Sequence, residues 1–307
     1  MVVVAGPTAS GKSSLALALA EAFHGVVINA DSMQVYDTPR ILTNRPNRAH
    51  EARAPHRLYG VVPATEPCSA ARWRALALAE IMAAHETGQL PIVTGGTGLY
   101  IRALTEGLAP IPHIPAEIRD HARALHASLG GAAFHDMLAA IDPEMAARLA
   151  PGDSQRLIRA LEVHQATGCS LAEWQRLPPD GEGLRDPVLT YVLLPPREPL
   201  YAACDGRFVA MIEAGALDEA RALVSLDPAL PVMKALGVPQ LHRHLAGETS
   251  LAIAIAAAQK ATRNYAKRQL TWFRHQIGSA VTFPGQYSTQ VEQVAIDETR
   301  RFLLTGS

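Results

Sequence analysis

Residues 6–13, Gly6-Pro7-Thr8-Ala9-Ser10-Gly11-Lys12-Ser13, fit G-x-x-x-x-G-K-[ST] and constrain this chain more than any other feature. The apolar run Val2-Val3-Val4-Ala5 before them reads as a buried parallel strand, and the Ala- and Leu-rich stretch Ser13–Phe23 after them as a helix. Strand, glycine turn and helix in that order make an anion cradle. Successive backbone N–H groups and the positive helix end face a phosphate, Lys12 adds a point charge, and Ser13 is placed to hold Mg²⁺. The segment assigns Gly6, Thr8, Ala9, Ser10, Gly11, Lys12 and Ser13 to binding a di- or triphosphate group; it does not by itself imply ATP hydrolysis.

Val26-Val27-Ile28 forms a second buried strand ending at Asn29-Ala30-Asp31, which completes a βαβ unit. Trp73–Glu86 has a helical pattern, Pro91–Thr94 reads as another strand, and Gly95-Gly96-Thr97-Gly98 turns into the next helix. Such alternation predicts an α/β fold, a P-loop NTPase-like parallel sheet flanked by helices. Three prolines within Pro110–Pro115 mark a boundary, and helical patterns run from Ala116 to about Trp174. After a second break at Pro178–Pro187, the apolar run Val188–Leu194 is expected to rejoin the sheet, with helices to about Ile277 and one short final helix. The expected organisation is a core of residues 1–112 and 188–307 and an all-helical insertion domain of residues 113–187.

The 307 residues exceed the usual single-domain length, as two unequal parts require. With 28 Lys and Arg against 29 Asp and Glu, no global positive field recruits nucleic acid, so any such contact needs a local basic patch. Cys68, Cys169 and Cys204 form no C-x-x-C pair, which argues against a disulfide scaffold or zinc ribbon and fits a reducing compartment. The histidines are dispersed, His242 and His244 included, and no H-E-x-x-H occurs. No basic leader and no membrane-length apolar run are present, so a soluble cytoplasmic protein is expected.

Asp31 follows the second strand and is expected at the carboxyl edge of the sheet, on the rim that carries the phosphate loop, where it suits a general base; a helix cap or solvated turn acid is the alternative. Thr97 ends a strand on the same rim, with an N-cap role as its alternative. Lys260, Arg263, Lys267 and Arg274 fall within an arc of roughly 60° on a helix and make a cationic stripe suited to tracking phosphates, unless it is a plain solvated face. No Asp or Glu interrupts 260–274, and Tyr265 and Trp272 on the other side are expected to dock the helix on the core. Arg156 and Arg159, beside Gln155, make a smaller basic pair, with an internal Arg159–Glu162 ion pair as the competing reading.

With these residues assembled, the chain resembles the tRNA dimethylallyltransferases, also called tRNA isopentenyltransferases, in their bacterial form. The matching blocks are GPTASGKSSLA at 6–16, NADSMQVY at 29–36, LPIVTGGTGLYIRAL at 90–104, IPAEIR at 114–119, DSQRLIRALEV at 153–163, RFVAMIEAGALDEA at 207–220 and ATRNYAKRQLTWFR at 261–274. The resemblance implies transfer of a dimethylallyl group from dimethylallyl diphosphate to N6 of the adenosine at position 37 of certain tRNAs, by a monomer using Mg²⁺. It implies that Asp31 is the base and that Thr97 and Arg207 assist near the reacting groups. Lys12 and Ser13 would be diphosphate and Mg²⁺ ligands, and Asp31, Ser32, Met33 and Gln34, with Thr97, would belong to the pocket for a flipped base. Arg119, Gln155, Arg156, Leu157, Ile158, Arg159 and the stripe Lys260, Arg263, Lys267 and Arg274 would contact tRNA, the insert clasping the anticodon stem-loop. The chain departs from the family at Arg45, where a lysine is common, and at Val238-Pro239, where Tyr-Arg is common; Ala202-Ala203-Cys204-Asp205 also lacks the basic residues often found there. Prenylation of free adenine nucleotides, a P-loop small-molecule kinase and a non-catalytic RNA-binding module are the competing functions.

Overall fold

The computed structural model describes residues 1–179 and 187–305. It divides into two compact units, one of residues 1–105 and 184–307, the other of residues 106–183. The first is built on six strands: β1 (Val2–Ala5), β2 (Gly25–Asn29), β3 (His56–Arg57), β4 (Leu90–Gly95), β5 (Leu189–Leu193) and β6 (Val281–Phe283). Their order is β3-β2-β4-β1-β5-β6, and every pairing is parallel. β5 pairs Val2 with Leu189 and Ala5 with Val192, so the apolar run after the insert does rejoin the sheet beside β1.

Period-2 alternation divides the sheet's two faces. Val2 and Val4 pack with Leu15, Leu19 and Ala295, whereas Val3 and Ala5 pack with Trp73, Tyr100 and Phe273. Helix Lys12–Ala22 therefore covers one face with Thr289–Thr305, while Ala70–Glu86 and Gly98–Thr105 cover the other. Chain connections leave β1 and β4 toward opposite faces, which opens a crevice beyond their carboxyl ends. The phosphate loop and the Gly95–Gly98 turn both border it.

The second unit contains helices Ala116–Ile141, Pro143–Arg148, Ser154–Thr167 and Leu171–Arg176, around a core of their own that includes Ile114, Phe134, Leu138, Leu157 and Leu161. It begins at residue 106, before the expected boundary at 113. Helix Gly98–Thr105 stops before the prolines, so the change of unit precedes the compositional break. Part of the expected second break, residues 180–186, lies outside the described residues. The last helix, Thr289–Thr305, spans 17 residues and is not short. No helix among the described residues is long and apolar enough to cross a membrane.

Candidate active site

Gly11 closes the phosphate loop in the left-handed region (φ 88°), and a side chain there would run into Tyr287, so glycine satisfies both backbone and packing. Gly11, as N-cap of the following helix, has no side chain to cap it. The N–H groups of Ala9, Gly11, Lys12 and Ser13 make no hydrogen bond among the described residues, which leaves a set of donors for an anion. The loop is supported from outside: Tyr287 N donates to Ser10 O at 3.0 Å, and Gln286 Nε2 donates to Ala9 O at 3.2 Å. Ser10 is buried and its hydroxyl has no partner among the described residues, whereas Ser13 is exposed on the first helical turn.

Lys12 donates to Pro7 O at 3.4 Å. Burial pushes its ammonium pKa down to about 8; Asp31 opposes the shift and Arg207 adds to it. An anionic ligand of the loop binds the protonated form, so affinity for diphosphate is expected to fall by roughly tenfold per pH unit above about 8, and Lys12→Met to flatten that profile in a direct binding titration. For stability the sign is opposite. Because the folded-state pKa lies below the ordinary 10.5, the unfolded chain holds more protons between about 8 and 10.5, and the Lys12 contribution makes the ligand-free protein more stable as pH rises through that window.

A cleft of about 220 Å³ opens beside the loop, lined by Thr8, Asp31, Ser32, Met33, Arg207 and Tyr265 among others. Arg207, on helix Arg197–Glu213, donates to the Thr8 hydroxyl. Burial lowers its pKa, with Cys204 and Asp31 opposing. Asp31 is oriented by its neighbours: its N–H donates to Asn29 Oδ1 and its Oδ1 accepts from Met33 N, each at 2.9 Å. The turn-acid reading is thus realised through one oxygen, and Oδ2 has no partner among the described residues. Thr97 is not a side-chain cap. Its Oγ1 accepts from Ser32 N at 2.9 Å and pairs with Ser32 Oγ at 3.2 Å, tying the β4 turn to the loop after β2. Gln34 supports the opposite wall, donating to Thr43 O at 2.8 Å and Asn44 O at 3.0 Å.

Helix Leu251–Gln276 carries the stripe, with one correction. Arg263 is not free: its Nη1 lies 2.6 and 2.7 Å from the two Asp205 oxygens, a partner 58 residues away. Lys260, Lys267 and Arg274 are exposed, with no ion pair among the described residues. Tyr265 also departs from expectation. It lines the cleft instead of docking in the core, and Arg268 sits over its ring at 5.5 Å. Burial raises the Tyr265 pKa, and the Asp31 charge adds to the rise. Trp272 docks as expected, against Gly98.

In the insert, Leu157 is fully buried in the core and cannot touch RNA. Ile158 packs against the same core. Arg159 is held by Glu162 at 3.1 Å, which realises the ion-pair reading, and Arg156 is held by Asp153 at 3.3 Å, a pair not expected from the sequence. Gln155 is exposed, and Arg119 is half-buried with its Nε unpartnered. Arg45 staples its own loop by donating to Tyr36 O and Asp37 O at 3.0 and 2.8 Å. Val238 is buried in the core of the first unit.

The residue that sequence reasoning missed is Gln269, buried on the inner side of the 251–276 helix. Its Oε1 accepts from Thr8 N at 2.8 Å and its Nε2 donates to Gly96 O at 2.7 Å. Arg268 was missed too, because it falls outside the arc of the stripe.

A glycine-walled phosphate loop beside a carboxylate, at the crevice of a parallel sheet, defines a P-loop α/β protein built to act on a phosphorylated ligand. A sequence model of the IPP transferase family matches residues 34–276. The chain is 60% identical over 292 residues to the tRNA dimethylallyltransferase of Rhodospirillum centenum, covering 93% of this chain and 92% of the relative. It is 57% identical over 307 residues to that of Paramagnetospirillum magneticum, covering 99% and 97%. Among solved structures it is similar to the tRNA isopentenylpyrophosphate transferase of Bacillus halodurans, with TM-score 0.69, 32% identity and coverage of 99% and 95%. It is also similar to a eukaryotic dimethylallyltransferase acting on tRNA, with TM-score 0.83, 27% identity and coverage of 100% and 80%. The chain belongs to the IPP transferase family.

Proposed function

We propose that this protein transfers a dimethylallyl group from dimethylallyl diphosphate to N6 of adenosine 37 in tRNA, releasing diphosphate and leaving N6-isopentenyladenosine. The observation that carries the reading is a cleft lined by Thr8 of the phosphate loop, by Arg207 and by Asp31, with Lys12 of the same loop near enough that the charges of Asp31 and Arg207 both act on it. In the reaction the allylic C1–O bond breaks, the N6–C1 bond forms, the diphosphate leaves with the bonding pair, and the proton lost from N6 passes to Asp31. The free N–H groups of the loop, Lys12 and Arg207 stabilise the charge gathering on the diphosphate. Tyr265 offers a ring for a flipped base to lie against, and Thr97 holds Ser32 beside Asp31.

Mg²⁺ fits this donor set as an ion shared with the substrate. Ser13 presents an exposed hydroxyl where the helix N–H groups face an anion, and no cluster of three His, Cys, Asp or Glu side chains occurs among the described residues. Such an ion takes one or two protein oxygens and completes its shell from phosphate and water. Ser13 would hold it, and when bound it would neutralise charge on the departing diphosphate.

The test combines protein, Mg²⁺, dimethylallyl diphosphate and an anticodon stem-loop with adenine at the target, and reads a mass gain of one C₅H₈ unit on RNA. Parallel reactions offer AMP as acceptor and ATP as donor; product only in those would overturn the reading. For the RNA face, Lys267→Glu with Arg268→Glu is expected to raise the KM for tRNA and lower the salt slope by about one per lost phosphate contact. An unchanged slope would return that face to plain solvation. Arg263→Glu is expected to lower stability as well, because it leaves Asp205 facing a like charge.

A further inference from the structure

We infer that Gln269 is a positioning residue that fixes the distance between the donor half and the acceptor half of the site. The inference rests on the proposed transfer reaction. Its carboxamide joins two backbones that no other side chain is seen to bridge among the described residues: Thr8 in the phosphate loop and Gly96 in the turn after β4. Each anchor leads directly to reacting groups. Thr8 receives Arg207 on its hydroxyl, and Gly96 precedes Thr97, which holds Ser32 next to Asp31. Donor and acceptor sides are thus referenced to one planar group a few atoms long.

The chemistry of the two anchors dictates the residue. A backbone N–H needs an acceptor and a backbone carbonyl needs a donor, and glutamine supplies one of each at a fixed separation. The side chain is buried, so water does not readily replace either bond. Gly96 has no room for a side chain because a Cβ would meet Gln269 Nε2, so the contact is close as well as polar. Leu270 and Ala266 on the same helix are buried against Leu200 and Cys204, which holds Gln269 in depth.

Glutamate at this position makes the decisive variant. Ionised, it still accepts from Thr8 N but sets an oxygen against Gly96 O; protonated, it regains the donor and mimics the carboxamide. Gln269→Leu loses both bonds at any pH. Misplacement on the ångström scale costs on the order of 10²-fold in a reaction that depends on approach geometry. Near neutral pH, both variants are therefore expected to lose roughly 10- to 100-fold in kcat, with KM for each substrate within about threefold of the parent. The Gln269→Glu to parent kcat ratio is expected to climb at least about tenfold as pH falls through the carboxyl range, while the Gln269→Leu ratio stays flat.

Independently of turnover, amide exchange at Thr8 in the whole protein is expected to quicken at least about tenfold in Gln269→Leu, with the global melting temperature used to separate local from general loosening. Near-parent kcat in Gln269→Leu, a loss carried entirely in the KM for tRNA, or a flat Gln269→Glu ratio would overturn the inference. If the parent itself makes no prenylated RNA, the transfer reading fails, and the Thr8 exchange measurement still decides whether Gln269 holds the phosphate loop.

Discussion

Asp31→Asn is expected to lower kcat by roughly 10²- to 10⁴-fold while tRNA binds with nearly parent affinity. Asparagine is the informative replacement because Asp31 has two distinct tasks. Its Oδ1 accepts the Met33 N–H at 2.9 Å, which shapes the loop carrying Ser32, Met33 and Gln34. An asparagine carbonyl continues that bond, so the cleft wall stays in place. What disappears is the carboxylate proposed to accept a proton as N6 is alkylated. The exocyclic amine becomes cationic as the N6–C1 bond forms, and without a nearby acceptor its charge must be carried to water. Single-turnover formation of prenylated stem-loop at saturating donor measures the loss; a rate within a few-fold of the parent would remove Asp31 from proton transfer. Asp31→Ala breaks both tasks, so it is expected to match the rate loss and also to weaken RNA binding. The difference between the two variants isolates what the turn contributes.

What the sequence disclosed, and what it withheld, follows the range of the interactions involved. The phosphate loop was legible because its strand, glycines and helix are contiguous. Asp31 and Thr97 were legible as strand ends, since a parallel sheet gathers such ends on one rim. Gln269 was not, because its bonds span 261 and 173 residues and nothing in helical periodicity marks an inward glutamine as a brace. The same distance hides the Asp205 partner of Arg263, because a run free of acids says nothing of an acid 58 residues away in sequence. Leu157 was carried into the RNA face by a motif block, although its place in the helical repeat of Ser154–Thr167 puts it in the insert core. β3, with two residues, and β6, with three, are too short to show a pattern; pairing with β2 and β5 makes them strands.

Arg207→Leu is expected to lower kcat by roughly 10²- to 10³-fold while making the ligand-free protein more stable, two effects with one cause. Without substrate, Arg207 in the cleft and Lys12 in the adjoining phosphate loop are two cations close enough to oppose each other, with Asp31 as the nearby acid, and burial disfavours the charge on both. No ion pair to Arg207 occurs among the described residues, and its hydrogen bond to Thr8 is to a neutral hydroxyl. The site therefore holds positive charge in advance of the proposed diphosphate, at a cost that an apolar side chain of similar reach removes. The melting temperature of the empty variant is expected to rise by a few degrees, on the order of 1 kcal/mol. Added diphosphate should reverse the order: ligand at about 100 times Kd stabilises the parent by about 2.7 kcal/mol, and at the same concentration the variant gains less because its affinity is lower. Arg207→Lys retains the charge but loses the planar fork, so it is expected to recover diphosphate binding more fully than turnover. A leucine variant that is both fully active and no more stable than the parent would mean that the guanidinium neither meets the diphosphate nor strains the empty cleft.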